Sequence, residues 1–263
     1  MKDRPKKKYH RGRRKKHTVG SVVSTILLII SIGVLIYAGS HLFTIGKGYH
    51  EGEKEYKEIE KLAITVDEEE DRYQVDFDAL WEINPDVVAW IRFEEPEVIN
   101  YPVVQGQDNA EYLYKTFKGY DNTVGTIFLN VFNHATFTDR NTLIYGHYMY
   151  NGTMFNELDE YREEEFWKKH PFFYIYTPDG KEIKYHIYSV AEVIDGQESH
   201  MYEFPTDEDF QNFIDATVQK SFYDTGVVPD LNSQVVTLST CTKENNNHRL
   251  VVHGVKVQER MGE

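Results

Sequence analysis

From Thr18 to Ile45 the chain reads TVGSVVSTILLIISIGVLIYAGSHLFTI, 28 residues without a Lys, Arg, Asp or Glu. No other stretch constrains the fold so severely. A bilayer core about 30 Å thick is crossed by roughly 20 apolar residues at helical rise, so this run is long enough to span one. A cleavable signal peptide would have a shorter apolar region, and YAGS is a poor small-x-small cleavage site. A buried helix of a soluble domain rarely stays uncharged for this length. The sequence therefore predicts one transmembrane signal anchor over residues 18–45.

Charge gives the anchor a direction. Residues 1–17, MKDRPKKKYHRGRRKKH, hold ten Lys or Arg and one Asp, a surplus of nine. The whole chain carries −14, which leaves −23 on everything after residue 17. A basic block beside a span stays in the cytoplasm and sends the C-terminal bulk outside. Next to a membrane, that block reads as a topology signal and a contact for anionic lipid rather than a nucleic-acid arm. An outer part this acidic repels polyanions, so no nucleic-acid partner is expected. With one cysteine, Cys241, there is no intrachain disulfide framework.

Beyond the anchor, residues 46–74 are expected to form a charged helical stalk and linker, with Glu53 and Lys57 paired at i,i+4 and DEEEDR (67–72) solvated. Residues 75–263 form the outer domain. Asp76 is placed to cap a short helix that Asn84-Pro85-Asp86 ends. The pattern then turns to strands: 88–93, 98–104, 125–130, 141–146, 172–177, 182–194, 234–240 and 249–257. Alternation is clearest where Ile183, Tyr185, Ile187 and Ser189 share a face. Helices are expected at 108–117, 154–168 and 206–222, the last capped by Thr206 or Asp207 with Phe210, Phe213, Ile214 and Val218 as its stripe. This is a mainly β domain with helical insertions, and about eight short strands suggest one closed or nearly closed barrel.

Cys241 ends a strand whose face it shares with Thr237 and Ser239. Seven polar residues separate it from Arg249, which opens RLVVHGVKV. If the two strands pair antiparallel, thiol and guanidinium meet at one sheet end, where a permanent cation favours a thiolate or holds an oxyanion. On spacing alone, a small core cysteine and a surface arginine remain the plainer reading. A nucleophilic thiol also needs a proton-transfer partner. His10 and His17 lie in the basic tail, and His41 and His50 flank the span. His248 sits in the loop near the thiol, and His253 shares the face of Arg249. His147 is better placed, at the end of an apolar strand beside Gly146 and opening into a loop. No H-E-x-x-H, C-x-x-C or EF-hand loop occurs, so neither metal nor cofactor is expected.

TLSTC with an arginine eight positions after the cysteine, and YGH upstream, together resemble the sortases, membrane-anchored cysteine transpeptidases of Gram-positive bacteria. NPDVVAWI, INYPVVQGQDNAEYL, GTIFLN, NTLIYGHYMYNGTMF and HPFFYIYT are similar to the class B branch in wording and order, over about residues 75–258. The resemblance implies a closed barrel of about eight strands with N-terminal helices and a long helix before the penultimate strand. It implies Cys241 as nucleophile, His147 as general acid/base and Arg249 as the oxyanion- or substrate-stabilising group. Asn109, Leu113 and Ser239 match positions that line the sorting-signal groove. Tyr148 departs from the family, where asparagine often follows the histidine, and the KENNNH loop (243–248) looks variable. The implied partners are secreted proteins with a C-terminal sorting signal and an amine of the cell-wall peptide stem or its lipid-linked precursor. An L,D-transpeptidase-like or purely hydrolytic cysteine peptidase is the alternative enzyme, though such enzymes place arginine two residues after the cysteine, where this chain has Lys243. A non-catalytic, membrane-anchored surface module is the alternative outside enzymes.

Overall fold

The computed structural model describes residues 19–67, 72–196, 200–242 and 247–261. The basic tail 1–17, Thr18 and Lys243–Asn246 of the variable loop lie outside them. Two units are distinguished, one ending at Gly46 and the other running from Lys47. Helix α1 (Val19–Ala63) contains the apolar run, long and apolar enough to cross a membrane, with no residue of its most apolar window (mean hydropathy 2.4) buried.

From Lys47 onward, α1 is packed rather than standing as a free stalk. Tyr56, Ile59 and Ala63 recur at helical spacing and are buried. The Tyr56 hydroxyl donates to the Gly125 carbonyl (2.6 Å), and the Asn100 amide donates to Glu60 (2.7 Å). Asn100 Oδ1 in turn accepts from Tyr73 and Trp90, both at 2.6 Å, so one asparagine joins the helix to the barrel wall. Glu53 and Lys57 pair at 2.7 Å on the exposed face. The ends of the expected solvated linker are also ordered: β1 (Ile64–Asp67) and β2 (Arg72–Val75) make an antiparallel hairpin. Its β-branched and aromatic residues, Ile64, Val66, Tyr73 and Val75, outweigh the acidic run between them.

Helix α2 (Phe77–Ile83) starts at Asp76, whose side chain accepts the Ala79 N–H, and stops at Asn84. Eight strands then close a barrel: β3 (Val87–Phe93), β4 (Asn100–Val104), β5 (Ile127–Leu129), β6 (Asn141–Tyr145), β7 (Phe172–Tyr176), β8 (Lys181–Ile194), β9 (Val235–Cys241) and β10 (His248–Met261). Their order is β10-β8-β7-β3-β4-β5-β6-β9, with β9 pairing back onto β10. Only β4–β5 and β6–β9 are parallel among these described pairs. Each strand overlaps a segment expected from alternation. Stacked rings fill the interior, with Phe93 on Phe173 (5.2 Å) and Phe173 on Tyr185 (5.1 Å).

The helical insertions are shorter than expected. Over 108–117 there is only a 3-10 turn, Glu111–Leu113. Asp108 accepts the Ala110 and Glu111 N–H groups just before it, and the hydroxyl of the buried Tyr112 donates to Asp86 (2.6 Å). Residues 154–168 split into a 3-10 segment (Asn156–Arg162) and α3 (Glu164–Lys169), because Glu163 is extended between them. Helix α4 (Asp207–Lys220) lies between β8 and β9 and has a complete capping box between Thr206 and Asp209. Its buried stripe is Phe210, Phe213, Ile214 and Thr217, with Val218 only partly covered. Thr217 takes the inner place because its hydroxyl pairs with Tyr188 (3.0 Å) and its carbonyl accepts from Ser189 (2.6 Å).

His253 of β10 is fully buried, its Nδ1 2.8 Å from the Thr237 hydroxyl. Burial, aided by the nearby His200, pushes its pKa down to about 3. In an unfolded chain the same imidazole titrates near 6.5, at about the reference value. Above that value both states are neutral. As pH falls toward 3, only the unfolded chain takes the proton, and folding loses about 1.4 kcal/mol per pH unit. His253→Gln should therefore flatten the fall in urea midpoint between about pH 6.5 and 4.5; parallel curves for variant and parent would exclude this.

Candidate active site

Two strand pairings assemble the candidate residues. In the antiparallel β9–β10 ladder Cys241 lies directly opposite Arg249, so their side chains leave the sheet on the same side. In the parallel β6–β9 ladder Tyr145 lies opposite Ser239, and the Gly146 N–H donates to the Ser239 carbonyl at 3.1 Å. His147 is two residues past Tyr145, and Cys241 is two past Ser239. Both strands run in the same direction, so the chain leaves β6 toward His147 at the end of the barrel where β9 reaches Cys241. Cys241 and His147 are both half-buried, accessible yet held.

The imidazole of His147 is fixed by backbone. Its Nε2 sits 2.6 Å from the Leu113 carbonyl oxygen. A carbonyl only accepts, so Nε2 carries hydrogen and Nδ1 is the nitrogen left to exchange a proton. The Phe155 N–H donates to the His147 carbonyl (3.0 Å), and the Tyr114 ring lies 6.1 Å from the imidazole. Gly125 makes this fit possible. It adopts φ +62°, and a Cβ there would fall 2.7 Å from the Leu113 carbonyl and 2.9 Å from His147 Cδ2. Leu113 thus touches the site through its main chain, with its side chain partly buried against the core.

Arg249 donates from Nη2 to Asp195 Oδ2 (2.7 Å) and from Nη1 to the His248 carbonyl (3.1 Å). Ser239 is buried, its hydroxyl 2.9 Å from His200 Nε2, so it meets His200 rather than an open groove. That imidazole stacks on Tyr145 at 6.4 Å. Burial lowers the pKa of His200, with Asp195 opposing and Arg249 reinforcing the shift. Burial also pushes the Tyr145 phenol up to about 12. Asn109 is engaged in the wall: its Nδ2 donates to Asn130 Oδ1 and its Oδ1 accepts the Val131 N–H, both at 2.8 Å.

The other histidines separate cleanly. His248 turns away from Arg249 to Glu192 (2.7 Å), and His253 is sealed in the core. His41 and His50 are on α1, and His10 and His17 lie outside the described residues. Tyr148 reaches Asp159 at 3.4 Å, on the loop rather than over the thiol's strand. Sequence reasoning missed Asp195, His200, Tyr145 and Gly125. Only Gly125 left a trace, as a glycine just before an apolar strand.

Known proteins resemble this chain over most of its length. Residues 93–257 match the sortase domain family model. The sortase B of Staphylococcus aureus is 30% identical over 223 residues, covering 82% of this chain and 88% of that protein. The crystal structure of sortase B from B. anthracis in complex with AAEK1 superposes with a TM-score of 0.72 at 32% identity, over 81% of this chain and 100% of that one. The Staphylococcus aureus sortase B–substrate complex gives 0.65 at 30% identity, over 69% and 84%.

Proposed function

The chain belongs to the sortase family, in its class B branch, and on that premise we propose that Cys241, His147 and Arg249 carry its transpeptidase chemistry. The observation that supports the assignment is the double register on β9, with Arg249 opposite Cys241 on one side and, on the other, β6 paired in parallel up to Tyr145, two residues before His147.

In this reading the Cys241 thiolate adds to the threonine carbonyl of an N-P-x-T-N- or S-P-x-T-G-like sorting signal. Arg249 and a backbone N–H hold the oxyanion. The C–N bond then breaks while His147 gives a proton, through Nδ1, to the leaving amine. A thioacyl-enzyme remains. An amine of the cell-wall peptide stem or its lipid-linked precursor attacks the thioester carbonyl, passes its proton to His147 Nδ1 and expels the Cys241 thiolate. Asn109 and Leu113 shape one side of the sorting-signal groove, and Ser239 acts there through His200. The basic tail 1–17 stays in the cytoplasm, 18–45 anchors the chain in the cell membrane, and the domain after residue 75 works outside. Confinement to one surface raises the effective concentration of secreted substrate and wall precursor.

A fluorogenic peptide panel spanning both signal types, with and without an added oligoglycine amine, tests the assignment on the full-length chain in detergent. Cleavage after threonine with amine-dependent ligation is expected. Hydrolysis indifferent to the amine would point to a peptidase instead, and inertness toward every signal would remove the sorting role.

A further inference from the structure

We propose that Asp195 is a positioning residue for Arg249, holding the guanidinium at the rim in the orientation that the chemistry of Cys241 requires. The inference rests on the assignment of Arg249 as the oxyanion- or substrate-holding group. Asp195 is the first residue past the end of β8, just beyond the point where Ile194 and Val193 pair with His248 and Arg249. It grips the arginine segment twice. Its carboxylate accepts from Arg249 Nη2 at 2.7 Å, and its own N–H donates to the Asn247 carbonyl at 2.9 Å.

The pair is not an ordinary surface ion pair. The Arg249 side chain is 20% exposed while Asp195 is 53% exposed, so the carboxylate reaches inward to a largely covered cation. A guanidinium at a barrel rim otherwise spreads over many rotamers. Fixing it before substrate arrives removes that ordering cost from the reaction step. Asp195 takes Nη2 and the His248 carbonyl takes Nη1, so the plane of the guanidinium fork is fixed from two sides. Next to burial, the larger influence on each, the Asp195 charge pushes the pKa of both Tyr145 and His200 upward, the two rings that stack beside Ser239. No covalent step is required of Asp195 and it needs no contact with the reacting atoms.

The test uses the full-length chain and the N-P-x-T-N fluorogenic peptide, comparing Asp195→Ala, Asp195→Asn, Arg249→Ala and the double Asp195→Ala/Arg249→Ala variant. Asp195→Ala is expected to lose about tenfold in kcat with KM little changed, the scale of one charge-assisted hydrogen bond at a half-exposed site. Asp195→Asn keeps an oxygen acceptor and should stay within about threefold of the parent. On the Arg249→Ala background, measured by single-turnover thioacyl formation, removing Asp195 should cost nothing more, because its effect passes through the arginine. Parental kcat in Asp195→Ala overturns the proposal, as does an equal loss with and without Arg249. If Arg249→Ala itself keeps the parental rate, the role of Arg249 falls and the positioning role with it. A silent Asp195→Ala beside a crippled Arg249→Ala removes the positioning role alone.

Discussion

Cys241→Ala is expected to stop both cleavage and ligation of a sorting peptide, a loss of about ten-thousand-fold or more, since groups that act as one unit lose nearly everything when one is removed. The reason lies in the covalent intermediate: without a sulfur there is no thioester, and an alanine methyl has no substitute chemistry. His147→Ala should fall by a comparable factor, and the double variant should be scarcely worse than either single one. Mass spectrometry of the enzyme with substrate provides a second readout. The parent should gain the mass of the acyl fragment, and Cys241→Ala should gain none. Circular dichroism should be unchanged in both, because neither side chain is a fully buried part of the core. Ligation persisting in Cys241→Ala would sink the nucleophile assignment outright.

The second large effect concerns a residue with no side chain. Gly125→Ala is expected to lower kcat by about a hundredfold, the scale for displacing a catalytic group by roughly 1 Å. An added Cβ would meet the Leu113 and Tyr112 carbonyls at 2.7 and 2.9 Å and His147 Cδ2 at 2.9 Å. Two of those neighbours are backbone and cannot step aside cheaply, so the imidazole must turn or the 111–113 segment must retreat. Either movement breaks the 2.6 Å bond that sets which nitrogen of His147 carries hydrogen. The left-handed φ adds a strain of about 1 kcal/mol that any alanine there would feel. Gly119→Ala separates the two contributions. Gly119 has φ +84° with nothing within 4 Å of the added carbon, so it should lose a little stability and keep its turnover. If Gly125→Ala and Gly119→Ala lowered turnover equally, the crowding argument would fail.

The barrel was readable because its strands carry their own signal. β8 shows it best, where Ile183, Tyr185 and Ile187 alternate inward over a long run. The pairing of Cys241 with Arg249 was also readable, since a short polar loop between two strands implies an antiparallel turn-back. The parallel pairing of β6, which leads to His147, with β9, which ends at Cys241, was not, because no local pattern announces a non-local neighbour. Family resemblance supplied that partner instead. Residues 47–63 hid their packed face because Tyr56, Ile59 and Ala63 are scattered among lysines and glutamates. At 108–117 the buried Tyr112 bonds to the distant Asp86, a tertiary contact that local propensity does not contain. Asp195 and His200 acquire meaning only from the approach of the segment after β8 to the β9–β10 end, a long-range fact.

The parallel β6–β9 pair has a consequence for how such a domain can diversify. Everything between His147 and Cys241 in the chain, residues 148–240, is one long excursion that departs from β6 and returns along its neighbour β9. Loops that touch neither His147 nor Arg249, such as the turn joining β7 to β8, can lengthen, shorten or be exchanged while the strand register stays put. The stretch between β8 and α4 is not among them, because Asp195 and His200 reach Arg249 and Ser239 from it. Diversity in such a domain is thus confined to the loops that carry no contact to the rim.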